Sequence, residues 1–326
     1  MDTGTHVVMG LALGGLATLD PVVAGSAATT TSVLIATLIG SQAPDIDTVL
    51  KLKNNAVYIR NHRGITHSIP AVLLWPIVIS LVIYLFSPET NLLHLWLWTF
   101  LAVFLHVFVD IFNAYGTQAL RPFSSKWLAL GVINTFDPFI FGIHVVGLLF
   151  WAFGSHPGYI FLTVYGILIV YYIIRFIAQR RVLHEVQKII PDATEIIIAP
   201  TMRFTQWRLA IMNKHQFFVG RAHDNEVNIL DQFNRIPVPD SPILEAAKKD
   251  KNLSAFLSFS PVYRWELDEY DDYYEVRFID LRYRSNDHYP FVAVVQLDLQ
   301  LEIIKSYTGW IFSEEKLRRK LDLLPG

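Results

Sequence analysis

Apolar residues in the first half of the chain form long runs rather than an alternating pattern. Polar punctuation divides them into six stretches, 5–19, 28–43, 69–87, 92–112, 139–155 and 157–178. Runs near 20 apolar residues predict helices that cross a bilayer, because a helix of that length matches the hydrocarbon thickness. The first two stretches are shorter and rich in Gly, Ala and Thr, with Gly10 and Gly14 in a small-xxx-small pattern that lets helices approach closely in lipid. They are expected to pack inside the bundle, whether or not they span fully.

Beyond Arg181 the pattern changes to short mixed segments: TEIIIA, FTQWRLAIM, QFFVGRA, YYEVRFIDLRYR and PFVAVVQLDLQLEII. Their β-branched and aromatic residues between turn signals predict strands. SPILEAAKKDKNLSAFL and SEEKLRRKLDLL predict helices, each opening on a Ser suited to an N-cap. The expected fold is mostly α: a polytopic helical membrane bundle over 1–179 and a soluble α+β domain over 180–326.

Composition sharpens this division. The 326 residues are 52% hydrophobic, with mean hydropathy +0.36, too apolar for an ordinary soluble protein. Residues 1–179 hold only seven of the 27 Lys and Arg and seven of the 29 Asp and Glu. The C-terminal half is near charge balance and has no long basic run, so direct nucleic-acid binding is not expected. With no cysteine in the chain, any metal must be held by nitrogen and oxygen ligands. The opening MDTGTHVVMG lacks the basic region of a cleaved secretory signal and is read as retained.

Six passes place the N-terminus, loops 44–68 and 113–138, and the C-terminal half on one face. Lys51, Lys53, Arg60, Arg63, Arg121, Lys126, Arg175, Arg180 and Arg181 lie there, whereas the opposite connections offer Asp20 and Glu89. The positive-inside rule makes the shared face cytoplasmic and the location the cell membrane.

That topology, drawn from hydropathy and basic charge, also gathers His6, Asp45, Asp47, His62, His67, His106, Asp110 and Asp137 at the same face. Ionisable groups at membrane depth are costly unless paired, hydrated or metal-bound, so their convergence points to a metal centre. Asp45 and Asp47 in QAPDIDTVL would point the same way in an extended segment; Asp45 after Pro44 also suits a turn or cap. His62 and His67 in NHRGITHS would diverge by about 140° on a straight helix, and a bend around Gly64 would let them converge. Arg63 suits either a substrate oxyanion or a headgroup anchor.

His106 and Asp110 are spaced i,i+4 with Asn113 at i+7, one face of a helix. The plainer alternative is a buried structural His–Asp hydrogen bond, which could equally orient a ligand. His6 alone would be an interfacial residue. Asp137 before Pro138 has the form of an N-cap with Pro at N1, and a bridging carboxylate is the alternative. His144 lies inside the fifth span, His94 and His156 near the other face, and His184, His215, His223 and His288 in the soluble half without ligand spacing.

PDID, HRGITHS and HVFVDIFNAYGTQ, in that order between spans, resemble the YdjM-like family of membrane-bound metal-dependent hydrolases over roughly residues 1–140. The resemblance implies ligand roles for His6, Asp45, Asp47, His62, His67, His106 and Asp110, and less directly for Asp137. It implies a hydrolase without fixing the bond cleaved.

The expected activity is hydrolysis of a phosphate ester or lipid-related substrate by metal-activated water, with zinc first and manganese or iron as alternatives. Asp47 is the expected general base, and Arg63 would stabilise charge on the attacked group. Two other classes compete. A non-catalytic membrane-anchored regulator would act through its cytoplasmic domain on a protein partner, affecting gene expression only indirectly. A transporter would spread polar groups through the depth of the bundle.

Overall fold

The computed structural model describes residues 1–52, 55–224, 226–285 and 287–322. Lys53, counted among the face-setting cations, and Leu323 and Leu324, the end of the last expected helix, lie outside the described residues. The chain divides into two compact units. One comprises Met1–Asp47, His62–Arg180 and Ala199–Phe204, the other Thr48–Asn61, Arg181–Ile198 and Thr205–Gly326.

The first unit is helical. α1 (Thr3–Leu16) starts where the Asp2 carboxylate accepts from the Thr5 amide, α2 (Pro21–Ala24) is capped likewise by Asp20, and α3 (Ala27–Gly40) is capped by Ser26. A 3₁₀ segment, Ala43–Leu52, leads to α4 (Asn55–Asn61), and a 3₁₀ turn, Ile65–His67, leads to α5 (Ile69–Phe86). α6 (Leu92–Asp110), α7 (Pro138–Ala152) and α8 (Pro157–Ile189) complete the helices of this half. Four segments among the described residues, Ala27–Leu50, Ile69–Phe86, Leu92–Asp110 and Pro157–Ile189, are long and apolar enough to cross a membrane. Thr3–Leu19 and Pro138–Ala152 are shorter apolar helices.

α1 packs on α3 and α7, and α3 on α5 and α6. The small residues explain how. A Cβ at Gly10 would sit 2.9 Å from the Thr37 carbonyl oxygen, and one at Gly14 would sit 3.0 Å from Leu34 Cα; only glycine allows that approach of backbones. Outward-facing Leu73, Leu85, Ile169 and Val170 remain exposed, as expected of surfaces that face lipid rather than water.

The second unit contains two four-stranded antiparallel sheets. The first runs β1 (Glu195–Pro200), β2 (Gln206–Met212), β3 (Gln216–His223) and β4 (Glu226–Asn234). The second runs β5 (Tyr263–Glu269), β6 (Tyr273–Asp280), β7 (Phe291–Asp298) and β8 (Ile303–Trp310). α9 (Pro242–Lys248), α10 (Lys251–Phe259) and α11 (Glu314–Asp322) complete it, with Ser241 and Asp250 capping the first two. α4 packs on α10, which is why residues 48–61 belong here although their flanks belong to the first unit. β6 and β7, with central residues Val276, Phe278, Val292, Val294 and Val295 buried, supply much of the core.

A candidate metal centre

Three elements deliver the donors. α3 ends at Gly40, and the 3₁₀ segment after it brings Asp45 inward. α6 contributes His106 and Asp110 from its last turns, and the Ile65–His67 turn contributes His67. The segment around Asp45 is not extended. At about three residues per turn its side chains two apart diverge by about 120°, so Asp45 and Asp47 face different partners. The bend between His62 and His67 falls at Arg63, whose φ of 59° puts it in the left-handed region, one residue before Gly64.

Nε2 of His67 lies 3.6 Å from Asp45 Oδ1 and 3.6 Å from Asp110 Oδ2. Nε2 of His106 lies 3.7 Å from Asp45 Oδ1 and 3.9 Å from Asp110 Oδ2. These spacings are too long for hydrogen bonds. All four atoms are buried, and none has a hydrogen-bond partner among the described residues. Orphaned buried polar atoms are rare and call for an explanation. Four of them lie within 4.8 Å of one another, and the four His–Asp separations of 3.6–3.9 Å are near the edge of about 3.3 Å between ligands held about 2.0–2.1 Å from one tetrahedral ion.

The tautomers agree. His106 Nδ1 donates to the Ser41 carbonyl oxygen at 2.6 Å, so its proton is on Nδ1 and the Nε2 lone pair faces the cluster. Thr66 donates its hydroxyl to Asp47 Oδ2 at 2.8 Å, leaving the oxygen to accept from His67 Nδ1 at 3.1 Å. Burial first, and His106 next, push the His67 imidazole below its ordinary value, which keeps it in the neutral form that binds metal. Carboxylate and carbonyl partners behind ligand imidazoles are a common device for orienting them.

Asp47 stands behind this group. Its Oδ1 lies 2.7 Å from His62 Nδ1, and its Oδ2 accepts from the Arg63 amide at 2.9 Å as well as from Thr66. Asp45, Asp47 and His62 also bring donor atoms within 4.8 Å of one another, a second possible ion position at the more exposed edge. Arg63 is buried; Nε lies 3.3 Å from Asp110 Oδ2, and its terminal nitrogens donate to the Met1 and Gly116 carbonyl oxygens at 3.1 and 3.4 Å. Its guanidinium is thus committed to protein groups, Asp110 among them.

His6 stacks on His106, ring centroids 3.7 Å apart, with Nε2 3.5 Å from Asp110 Oδ1. It adjoins the four-atom group without joining it. The Met1 amine also contacts Asp110 Oδ1. Asp137 is not brought to the cluster. Its Oδ1 accepts from the Phe139 and Ile140 amides and its Oδ2 from the Tyr171 hydroxyl at 2.8 Å, so its oxygens are engaged in capping α7 and tethering α8. Sequence reasoning did not single out Thr66 or Ser41; the first lies inside HRGITHS, and the second carried no signal because it acts through its carbonyl.

Residues 1–182 match the family described as YdjM inner membrane protein. Residues 191–233 match the YfhP middle domain, and residues 242–321 match the YfhP C-terminal alpha/beta plait domain. A Bacillus subtilis (strain 168) protein described as "Uncharacterized protein YfhP" is 64% identical over 324 residues, 99% of each chain. No solved structure matches the chain.

Proposed function

The chain belongs to the YdjM inner membrane protein family, and from that footing we propose that it is a membrane-bound metal-dependent hydrolase acting on a phosphate ester or lipid-related substrate. The observation that carries this reading is the set of four buried donor atoms of Asp45, His67, His106 and Asp110, none hydrogen-bonded among the described residues and 3.6–3.9 Å apart across each His–Asp pair. Two imidazoles and two carboxylates suit zinc, with manganese or iron as alternatives. A divalent ion held there would supply Lewis acidity and a water acidic enough to ionise near neutral pH.

The protein's own groups do the rest. Arg63 pairs with Asp110, the Ser41 carbonyl and Thr66 fix the two imidazoles, and Asp47 orients His62 at the accessible edge. The Asp47–His62 pair is then the base that moves the proton, a carboxylate–imidazole arrangement in which the carboxylate sets the tautomer. The basic residues flanking the spans at the cluster's end support a cytoplasmic side for that end under the positive-inside rule.

The test is elemental analysis of the full chain after mild detergent extraction, with phosphate-ester hydrolysis measured on the same sample. About one transition-metal ion per chain, lost in His67→Ala together with activity, is expected. Metal-free protein without activity on metal addition would refute the reading.

A second reading, a metal-sensing regulator acting through the C-terminal unit, is favoured by one observation. The chain leaves the helical unit after Asp47, spends residues 48–61 in the other unit, and returns at His62, so both flanks of that excursion carry cluster residues. If Asp45→Ala and His67→Ala abolished hydrolysis but left the cellular phenotype intact while deletion of 181–326 abolished the phenotype, the C-terminal unit would be the effector.

A further inference from the structure

A cavity of about 590 Å³ opens among α1, α6, α7 and α8. Its wall is almost wholly apolar, with Met9, Val109, Phe112 and Leu168 among the lining residues. On the α8 side its lining includes Ile169 and Ile173, both more than half exposed on a helix apolar enough to cross a membrane. The mouth therefore faces lipid rather than water.

The Tyr165 and Tyr172 hydroxyls on the wall reach Met9 and Met1, and one histidine nitrogen there is left without a partner among the described residues. His144, fully buried, lines the cavity. Its Nδ1 donates to the Ile140 carbonyl oxygen at 2.7 Å, and its Nε2 has no partner among the described residues. Because the carbonyl can only accept, the proton is on Nδ1 and Nε2 presents a bare lone pair. The neighbouring Tyr165 hydroxyl does not serve it, since it donates to the Met9 carbonyl oxygen at 3.3 Å. An acceptor buried in hydrocarbon without a donor costs about 1–3 kcal/mol, so a donor brought by an occupant is the natural partner.

The occupant must be mostly hydrocarbon, must enter from the bilayer, and must carry a hydroxyl. His144 lies seven residues along α7 from the Asp137 cap, a depth of about 10 Å at 1.5 Å per residue. That is deeper than free headgroups sit and within reach of the hydroxyl of a lipid drawn into the bundle. Val109 on the cavity wall immediately precedes Asp110 of the metal cluster, so the same end of α6 serves both.

We infer that the cavity binds one hydrocarbon chain of a glycerolipid, with a lipid hydroxyl donating to His144 Nε2. This names the substrate class of the proposed hydrolase, a single-chain glycerolipid phosphate, and rests on that proposal for the chemistry while the binding stands apart from it.

The experiment uses the full chain in lipid nanodiscs, with a monoacylglycerol phosphate bearing a diazirine in its acyl chain and its analogue lacking the free hydroxyl. Cross-links are expected at cavity residues of α6 and α8, and the analogue should label roughly tenfold less. His144→Phe should remove that difference between the two probes. Leu168→Trp, which fills the cavity, and Ile169→Trp, which blocks its mouth at an exposed position that cannot disturb folding, should abolish cavity labelling, whereas Leu85→Trp on outward-facing α5 should not. Labelling undiminished by Ile169→Trp, or equal for both probes on the unaltered chain, overturns the inference. Metal analysis of the same samples separates the two readings: cavity labelling of metal-free, inactive protein keeps the lipid site and refutes the hydrolase, and metal-loaded protein without cavity labelling overturns the lipid site alone.

Discussion

The two ends of the helical bundle use the same residue types to opposite effect. At one end His94 Nδ1 meets Asp20 Oδ2 at 2.6 Å, and Trp98 Nε1 donates to the same oxygen at 3.1 Å. That pair is closed, every donor in contact with its acceptor, and it ties α6 to the α1–α2 corner. At the other end His67, His106, Asp45 and Asp110 are held at 3.6–3.9 Å, close enough to surround an ion and too far apart to satisfy one another. Spacing, rather than composition, separates a closed structural pair from a candidate binding site. The C-terminal unit adds a third case: buried Glu275 accepts from Gln296, Arg277 and Arg318, so both carboxylate oxygens are engaged at hydrogen-bonding distance.

The largest expected effect breaks the comparison outright. Asp110→Asn or His67→Ala should reduce bound metal from about one ion per chain to none by elemental analysis, while Asp20→Asn leaves the content unchanged. Equal loss in all three would mean that the two ends are not different in kind.

Next comes the closed network. Glu275→Ala leaves Arg277 and Arg318 with Glu314 as their remaining carboxylate partner and should destabilise the C-terminal unit by about 2 kcal/mol, read as faster hydrogen exchange of β6 and β7 amides in the full chain. Burial alone would raise the Glu275 carboxyl, but hydrogen bonds from Gln296, Arg277 and Arg318 outweigh it and hold the group below its ordinary value. A depressed carboxyl stabilises the fold above its unfolded pKa of about 4.3 and loses that contribution as pH falls through the folded value. Protection of β6 and β7 should therefore decline on acidification below about pH 4.3, and less so in Glu275→Gln.

Asp47→Asn sharpens the distinction between residues that hold an ion and those that orient its ligands. Metal affinity should fall about 10–100-fold, the usual cost of losing a partner behind a ligand, with binding retained at higher metal concentration in a competition titration. The smallest effect is at the closed end, where His94→Ala should cost about 1 kcal/mol in thermal unfolding and change neither metal content nor hydrolysis.

Much of this was legible in the sequence because runs of apolar residues and the motifs PDID, HRGITHS and HVFVDIFNAYGTQ are local signals. The spans over Ile69–Phe86, Leu92–Asp110 and Pro157–Ile189 follow from hydropathy, and Gly10 and Gly14 do mark the α1–α3 contact. Strands β4 and β5 were missed because EVNILDQFN and YRWELDE carry polar residues on an exposed face, with burial alternating or slight, and PFVAVVQLDLQLEII, read as one strand, runs through the β7–β8 turn and stops at the start of β8. The continuous reading of SPILEAAKKDKNLSAFL overlooked Asp250, which caps α10 and divides the segment into two helices.

At the candidate site, spacing along α6 fixed that His106 and Asp110 share a face, since a helix repeats every 3.6 residues. It could not separate Asp45 from Asp47, because that depends on a 3₁₀ segment where an extended one was expected. Nor could it place Asp137, which fits a cap and a ligand equally until Tyr171 occupies its second oxygen.

The sequence by itself determined that this is a multi-span membrane protein with a mixed α/β tail and a set of His and Asp gathered toward one end, because hydrophobic periodicity and loop polarity are properties of consecutive residues. Only the tertiary structure decided which of those side chains face one another without touching, which are spent on caps and relays, and that residues 48–61 fold with the C-terminal unit. Those outcomes turn on whether groups far apart in the chain meet at 2.6 Å or stand 3.6–3.9 Å apart, and no local pattern encodes that difference.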